Sequence, residues 1–411
     1  MRIPAALRYR NYVLLWIGLL VSVAGSQMQV AAIHWHIREL TGEPDPLALG
    51  AIGLARILPV VVFSVVGGAV ADTFNRRLIL FVTQLLQTLI AAAFAVLTFS
   101  GHISIWTIYV LTALQASAMA FDLPARQAMV PNLVPARDLP SAFSMSSIAF
   151  NAGAIAGPAL GGIVIASLGQ AYTYVFNALS YLAVLGALLM MGHIPQDLNR
   201  ASGVNPRAML DGVHFIFSRP LILSTMITDF FATFFASANT MMPIVARDIL
   251  KVNEVGYGWL VSAQSIGSVL AGLAVSQIPN LRRQGPLFVG SVAVFGAATI
   301  WFGLAHSFIL AMAALVVIGV ADGVSTIIRN TIRQLQTPDH IRGRMTSINQ
   351  IFFMGGPQFG EVEAGIVGRL LGVPFAIVSG GIGTIVAAGW IIARWPMLLR
   401  YNGDEPLPPA D

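Results

Sequence analysis

The sequence predicts an all-α polytopic membrane protein, with twelve transmembrane helices arranged as two parallel six-helix repeats. Three observations carry that expectation. The chain of 411 residues is 56% hydrophobic and only 10% charged, with a mean hydropathy of +0.77. Soluble domains are about 25% charged, so a chain this apolar needs lipid as most of its solvent. Apolar runs of about 20 residues recur along nearly the whole length, each sufficient to cross about 30 Å of hydrocarbon at about 1.5 Å per residue. The second half also repeats the first in register.

Taken in order, the apolar runs place spans near residues 13–37, 47–70, 78–99, 105–128, 143–168 and 172–191. The second set falls near 221–245, 256–278, 287–304, 308–332, 348–370 and 374–392. The basic then apolar N-terminus, "MRIPAALRYRNYVLLWIGLL", resembles a signal peptide but lacks a small-residue cleavage site, so it is read as a retained first helix. Between the sets runs "GHIPQDLNRASGVNPRAMLDGVHFIFSRP", a polar linker with a short amphipathic helix. The expected organisation is a six-helix bundle over 1–195, a cytoplasmic linker over 196–218, a second bundle over 219–400 and a cytoplasmic tail over 401–411.

Direction follows from the basic residues, which are retained on cytoplasmic flanks. With the N-terminus inside, 18 of the 23 basic residues fall on inner segments and 4 on outer ones, with Arg56 inside a span. Both termini are therefore expected in the cytoplasm of a cell whose inner membrane holds the chain.

Sliding the chain by 203 residues aligns Arg126 with Arg329, Gly153 with Gly356, Gly157 with Gly360, Gly162 with Gly365, and Leu168-Gly169 with Leu371-Gly372. An offset of 206 brings Gly50 onto Gly256 and Arg76-Arg77 onto Arg282-Arg283. Two like-oriented halves place a substrate site near the midplane and argue for transport by alternating exposure.

Two motifs stand out. "GGAVADTFNRRLIL" carries Gly68, Asp72, Arg76 and Arg77 at the end of the second span. Glycine there allows close helix approach, Asp72 accepts from helix N-termini or arginines, and the arginine pair holds the inner turn. In the fifth span, "NAGAIAGPALGG" carries Gly153, Gly157, Pro158, Gly161 and Gly162. Its spaced glycines make a packing face and its proline removes a helix hydrogen bond. A polar turn and plain small-residue packing account for the same residues on local grounds.

On these motifs the chain resembles the major facilitator superfamily. "GAIAGPALGG" is similar to the fifth-helix motif of its proton-exchanging exporters, and the loop motif is present with Thr73 and Asn75 in place of the usual Arg and Gly. "RNYVLLWIGLLVS", "FDLPARQAMVPNLV" and "QTPDHIRGRMTSI" resemble the branch of siderophore exporters, secretion effectors and macrolide or multidrug efflux proteins. The resemblance implies the major facilitator fold and a cytoplasmic latch made by Asp72 and the arginine pair. Asp122 and Arg126, four apart and able to pair on one helix face, would extend that latch.

Five acids lie within or near spans: Asp122, Asp229, Asp322, Glu361 and Glu363. A charged acid at a helix centre costs about 2.5–3.5 kcal/mol on insertion scales, so each needs a partner, water or a proton. Arg56 is the only basic residue the sequence places deep, too few to neutralise all of them. Desolvation turns a weakly paired cavity carboxyl into a proton site. Depth sets Asp322 and Glu361 about equally far in and Asp229 nearer the cytoplasmic third. The resemblance, in whose exchangers a tenth-helix or first-helix acid often lines the cavity, implies Asp322 first as coupling acid, with Glu361, Glu363 and Asp229 as further candidates, each with interhelical hydrogen bonding as its other reading. Glu361 and Glu363 lie about 200° apart on a helix and cannot share a face; spacing does not say which one sees a cavity.

Gln27, Arg56, Gln115, Asn151 and Asn239 are candidate cavity-lining groups, although interhelical hydrogen bonding, about 0.6 kcal/mol on average, explains most mid-membrane amides. His34 and His36 are read as interfacial. The single lysine, Lys251, and the absence of a phosphate-cradling loop argue against ATP-driven pumping. The chain has no cysteine and no metal-ligand pattern, and no cofactor or nucleic-acid partner is called for. The function expected is a monomeric secondary transporter, not an enzyme, that exports small amphipathic molecules such as a drug, siderophore or metabolite across the bacterial inner membrane in exchange for protons. The alternatives are an importer or facilitator of the same fold and, from another class, a membrane-embedded sensor or enzyme.

Overall fold

A computed structural model describes residues 4–192, 194, 214–278, 281–337 and 339–403. Most of the expected linker, the end of the tail and the side chain of Asp72 lie outside the described residues. The first six long helices are α1 (Arg10–Leu40), α2 (Pro46–Thr73), α3 (Arg76–Phe99), α4 (Ile105–Met129), α5 (Leu139–Leu168) and α6 (Gln170–Met190). The second six are α7 (Pro220–Phe235), α8 (Glu254–Ser276), α9 (Gln284–Gly303), α10 (Phe308–Leu335), α11 (Asp339–Leu371) and α12 (Val373–Arg394). Among the described residues, 11 helices are long and apolar enough to cross a membrane. Their many exposed large hydrophobics, such as Leu58, Val62, Val96 and Val386, face outward as lipid-solvated helices require.

Local signals set many helix ends, and they repeat. Ser104 and Ser307, 203 apart, cap α4 and α10 by accepting the backbone N–H of Thr107 at 3.2 Å and Leu310 at 3.4 Å. Gly169 and Gly372, also 203 apart, end α5 and α11 with φ of 92° and 93°, which a β-carbon would strain. Asn75, the departure from the usual loop glycine, caps α3 through the N–H groups of Arg77 and Leu78. The seventh span is broken: α7 stops at Phe235, and a 3₁₀ turn and a short π-helix, Val245–Ile249, carry the chain on.

The chain divides into two compact units. The first comprises residues 1–43, 55–204 and 252–262; the second comprises 44–54, 205–251 and 263–411. Each unit therefore includes the start of a helix, α8 or α2, whose remainder belongs to the other.

In the first unit α1 packs on α5 and α6, and α3 on α4 and α6. The α5 glycines make the α1 contact possible: a β-carbon at Gly157 would meet the Ala24 carbonyl oxygen at 2.6 Å, and one at Gly153 would meet Val23. In the second unit α11 packs on α7 the same way, with Gly360 over the Phe234 carbonyl and Gly356 over Thr233 and Phe230.

The helix starts exchanged between the units also match. A β-carbon at Gly258 on α8 would lie 2.5 Å from the Pro158 oxygen, and one at Gly50 on α2 would lie 2.5 Å from the Glu361 oxygen. Gly50 is thus the counterpart of Gly258, not of Gly256 as the 206 offset suggests. The offset between the repeats is 208 here, as it is between the first residues of α3 and α9, Arg76 and Gln284.

Candidate transport site

Among the described residues the first unit holds one buried acid, and it is saturated. Asp122 on α4 accepts from Thr83 Oγ1 at 2.9 Å, Gln84 Nε2 at 2.7 Å, Arg126 Nε at 3.1 Å and Arg126 Nη2 at 2.8 Å. Its side chain is 7% exposed and that of Arg126 14%. Every lone-pair direction of this carboxylate has a donor, and two of those donors carry the compensating charge.

Beyond it, a chain of amides and hydroxyls joins α1, α4 and α6. Gln29 donates to Gln115 at 2.9 Å, Asn177 donates to Gln29 at 2.6 Å, and Gln115 donates to Tyr181 at 3.1 Å. Gln29 and Asn177 are fully buried, so Gln115 belongs to an internal network that ties three helices together. The β-carbon of Gln27 packs on Gly157, and Asn151 donates to the Ser147 carbonyl of its own helix at 2.9 Å.

The histidines are not interfacial. His34 and His36 are 8% and 5% exposed, and His36 Nδ1 lies 3.0 Å from the hydroxyl of buried Tyr174. Trp35 is buried against Tyr257, with ring centroids 5.1 Å apart, and Tyr257 donates to the Ala31 carbonyl at 3.0 Å. Arg56 lies within electrostatic reach of both His34 and Tyr257. The span continues past these residues to Leu40, which puts them inside the bundle.

The paired arginines of the loop motif hold the first unit's helix ends. Arg76 Nη1 donates to Asn132 Oδ1 at 2.7 Å and the Ala128 carbonyl at 3.2 Å. Arg77 Nη2 donates to the Leu188 carbonyl at 2.6 Å, at the end of α6. Arginine at a helix C-terminus satisfies carbonyls that lack intrahelical partners and opposes the dipole. Gly68 has open space where a β-carbon would stand.

The second unit is built differently. Asp229 on α7 forms a buried ion pair with Arg329 on α10, the side chains 7% and 5% exposed. Arg56 is therefore not the only deep basic residue. Charge counting places Arg329 on an inner flank, but α10 runs to Leu335 and carries it inside the unit. Asp229, Ala232, Thr233, Val292, Phe295, Asp322 and Ser325 line a small pocket between α7, α9 and α10. Asp322, Ser325 and Arg329 lie three and seven residues apart, which sets all three within about 60° on one helix face. Asp322 is half-buried and makes no hydrogen bond among the described residues, whereas Thr233 spends its proton on the Asp229 carbonyl at 2.7 Å. The sequence holds a signal for this arrangement in the seven-residue stride, read only as depth until α7 is seen opposite.

The two glutamates of α11 separate as their spacing requires. Glu361 is buried, 9% exposed, where α11 crosses the start of α2, its β-carbon on Gly53. Glu363 is half-buried. The crossing extends to Gly365 beside the Pro46 carbonyl and to Arg369, whose Nη1 is 4.0 Å from Asp45 Oδ1. Asn239 donates to Gln264 at 3.1 Å, an exposed pair after the break in the seventh span.

A bundle of long apolar helices in two internally repeated sets, with ionisable groups gathered inside them, defines a membrane transporter of the major facilitator type. The chain belongs to the transmembrane secretion effector family of that superfamily, whose profile it matches over residues 3–402. It is 25% identical over 396 residues to the multidrug efflux pump Tap of Mycolicibacterium fortuitum, covering 94% of this chain and 93% of that protein. It is 24% identical to the staphyloferrin A transporter of Staphylococcus aureus, covering 79% and 81%. With the enterobactin exporter EntS of Shigella boydii it shares 22% identity over 83% and 82%. In fold it is similar to a bacterial homologue of the human lysosomal transporter Spinster, with a TM-score of 0.77 at 14% identity over 95% of this chain and 98% of that one. The protein is thus a multi-pass membrane transporter related to efflux pumps and siderophore exporters, not an enzyme.

Proposed function

We propose that this protein exports a small amphipathic molecule across the bacterial inner membrane in exchange for protons by rocker-switch alternating access, with both termini cytoplasmic and a six-helix bundle on either side of the 196–218 linker. The observation that carries the proton assignment is Asp322: a carboxyl at the wall of an apolar pocket, beside an ion pair already satisfied within itself. A carboxyl without a permanent cation or donor is stabilised by a proton, and gives it up when the pocket opens to water of higher pH. Asp229, bonded to Arg329, holds that pair together, and Glu361 and Glu363 are secondary candidates on α11. The relatedness to named efflux and siderophore transporters supports export and an amphipathic cargo.

The cargo is found by comparing drug susceptibility and secreted metabolites of a deletion strain with its complemented parent. With that cargo in proteoliposomes, Asp322→Asn abolishes accumulation driven by a pH gradient and retains part of the cargo exchange. Full gradient-driven accumulation by Asp322→Asn would remove this residue from the mechanism. Because the chain has no cysteine, single cysteines placed beside each terminus report topology directly: both react with membrane-impermeant maleimide only after the cytoplasmic side is opened.

A further inference from the structure

The pocket wall of the second unit carries three ionisable groups of unequal standing. Asp229 and Arg329 are both nearly inaccessible and face each other from α7 and α10. Asp322 stands on the same face of α10 as Arg329, seven residues away, hence about 10 Å along the axis. Asp322 makes no hydrogen bond or ion pair among the described residues, whereas Arg329 is paired with Asp229. Among the described residues the surrounding elements add no acid: α9 presents Val292 and Phe295, α12 presents Thr384, whose hydroxyl donates to the Ala232 carbonyl at 3.4 Å, and α11 presents Gly356 and Gly360. Arg333, one turn beyond Arg329, is bonded to Asn330 on its own helix.

We infer that Arg329 is a positioning residue that fixes the proton capacity of this pocket at one. By neutralising Asp229 it withdraws one of two neighbouring carboxyls from proton exchange and leaves the exchangeable proton on Asp322 alone, so that one proton passes through this pocket in each cycle. Without the guanidinium, Asp229 and Asp322 would be two carboxyls in one apolar enclosure, and like charges there cannot both stay ionised; Asp229 would then take a proton as well. The inference rests on Asp322 being the exchanging acid.

The test is a pH-cycled infrared difference spectrum of the full chain in lipid nanodiscs, reading the carbonyl stretch of protonated carboxyls. No cargo is needed. The wild-type spectrum contains one component that Asp322→Asn removes. Arg329→Gln adds a further component, and the double variant Asp229→Asn/Arg329→Gln, which buries no unpaired charge, returns the spectrum to that of the wild type. Loss of a titrating component in Asp229→Asn or in the double variant, or no added component in folded Arg329→Gln, overturns the inference. Should Arg329→Gln not fold, wild type against the double variant still decides it, since a contribution from Asp229 would disappear between them. Retention of the wild-type component in Asp322→Asn would instead sink the assignment of Asp322, and the Arg329→Gln spectrum would still judge the role of the arginine.

Discussion

The fourth and tenth spans occupy equivalent places in the two repeats, share the arginine at 126 and 329, and treat their acids oppositely. Asp122 in α4 accepts four donor contacts; Asp322 in α10 makes no hydrogen bond among the described residues and lines a pocket. The cause lies partly in the neighbouring helix. Where α3 turns Thr83 and Gln84 toward Asp122, α9 turns Val292 and Phe295 toward the pocket, and neither of these offers a side-chain donor. In the first unit the arginine turns to an acid one turn back on its own helix, and in the second it reaches across to α7. One architecture thus holds a carboxylate that cements and another that is left available, and the donors around it decide which.

The comparison can be broken most sharply at the ion pairs. Arg329→Met should cost about 3–5 kcal/mol, because it leaves Asp229 buried without its cation, and should also alter proton coupling. Asp122→Ala should cost about as much by stranding Arg126, yet leave export coupled to the pH gradient as in the wild type. Denaturant unfolding in mixed micelles gives the first quantity and proteoliposome transport the second. Loss of coupling in folded Asp122→Ala would erase the distinction between the two units.

Packing comes next. Gly157→Val and Gly360→Val each drive a side chain into a backbone carbonyl of the facing helix, Ala24 or Phe234, and should each cost about 1–3 kcal/mol as overpacking does. Gly290→Ala, where a β-carbon meets open space, should instead stabilise α9 by up to about 1 kcal/mol through helix propensity. Equal losses at all three positions would mean that the close approach of the helices is not what the paired glycines provide. The smallest effect belongs to the amide network of the first unit: Gln29→Leu should cost about 0.6 kcal/mol for each interhelical bond lost, read from the same unfolding curves.

Much of the fold was legible before any tertiary contact was known. Span lengths and the terminal glycines at 169 and 372 are local features with local causes. The acids were legible as a set, because a carboxyl in an apolar run stands out whatever surrounds it. Their standing was not. Arg329 looked like a flanking charge because α10 extends beyond its apolar run. His34 and His36 looked interfacial because they stand late in a long first span, whereas Tyr174 on α6 receives one of them inside the bundle. Gly50 was matched to Gly256 by a constant offset, and only its seat over the Glu361 carbonyl identifies Gly258 as its counterpart.

The sequence by itself determined that this chain is a twice-repeated membrane bundle of the major facilitator type, because lipid dictates helix length and polarity residue by residue and a duplicated pattern survives in the caps and glycines. Tertiary structure alone decided that Asp122 is sealed by α3, that Asp229 is held by Arg329 and that Asp322 is left at the pocket wall. A carboxyl's partners come from helices remote in the chain, and whether it is neutralised depends on which side chains those helices turn toward it.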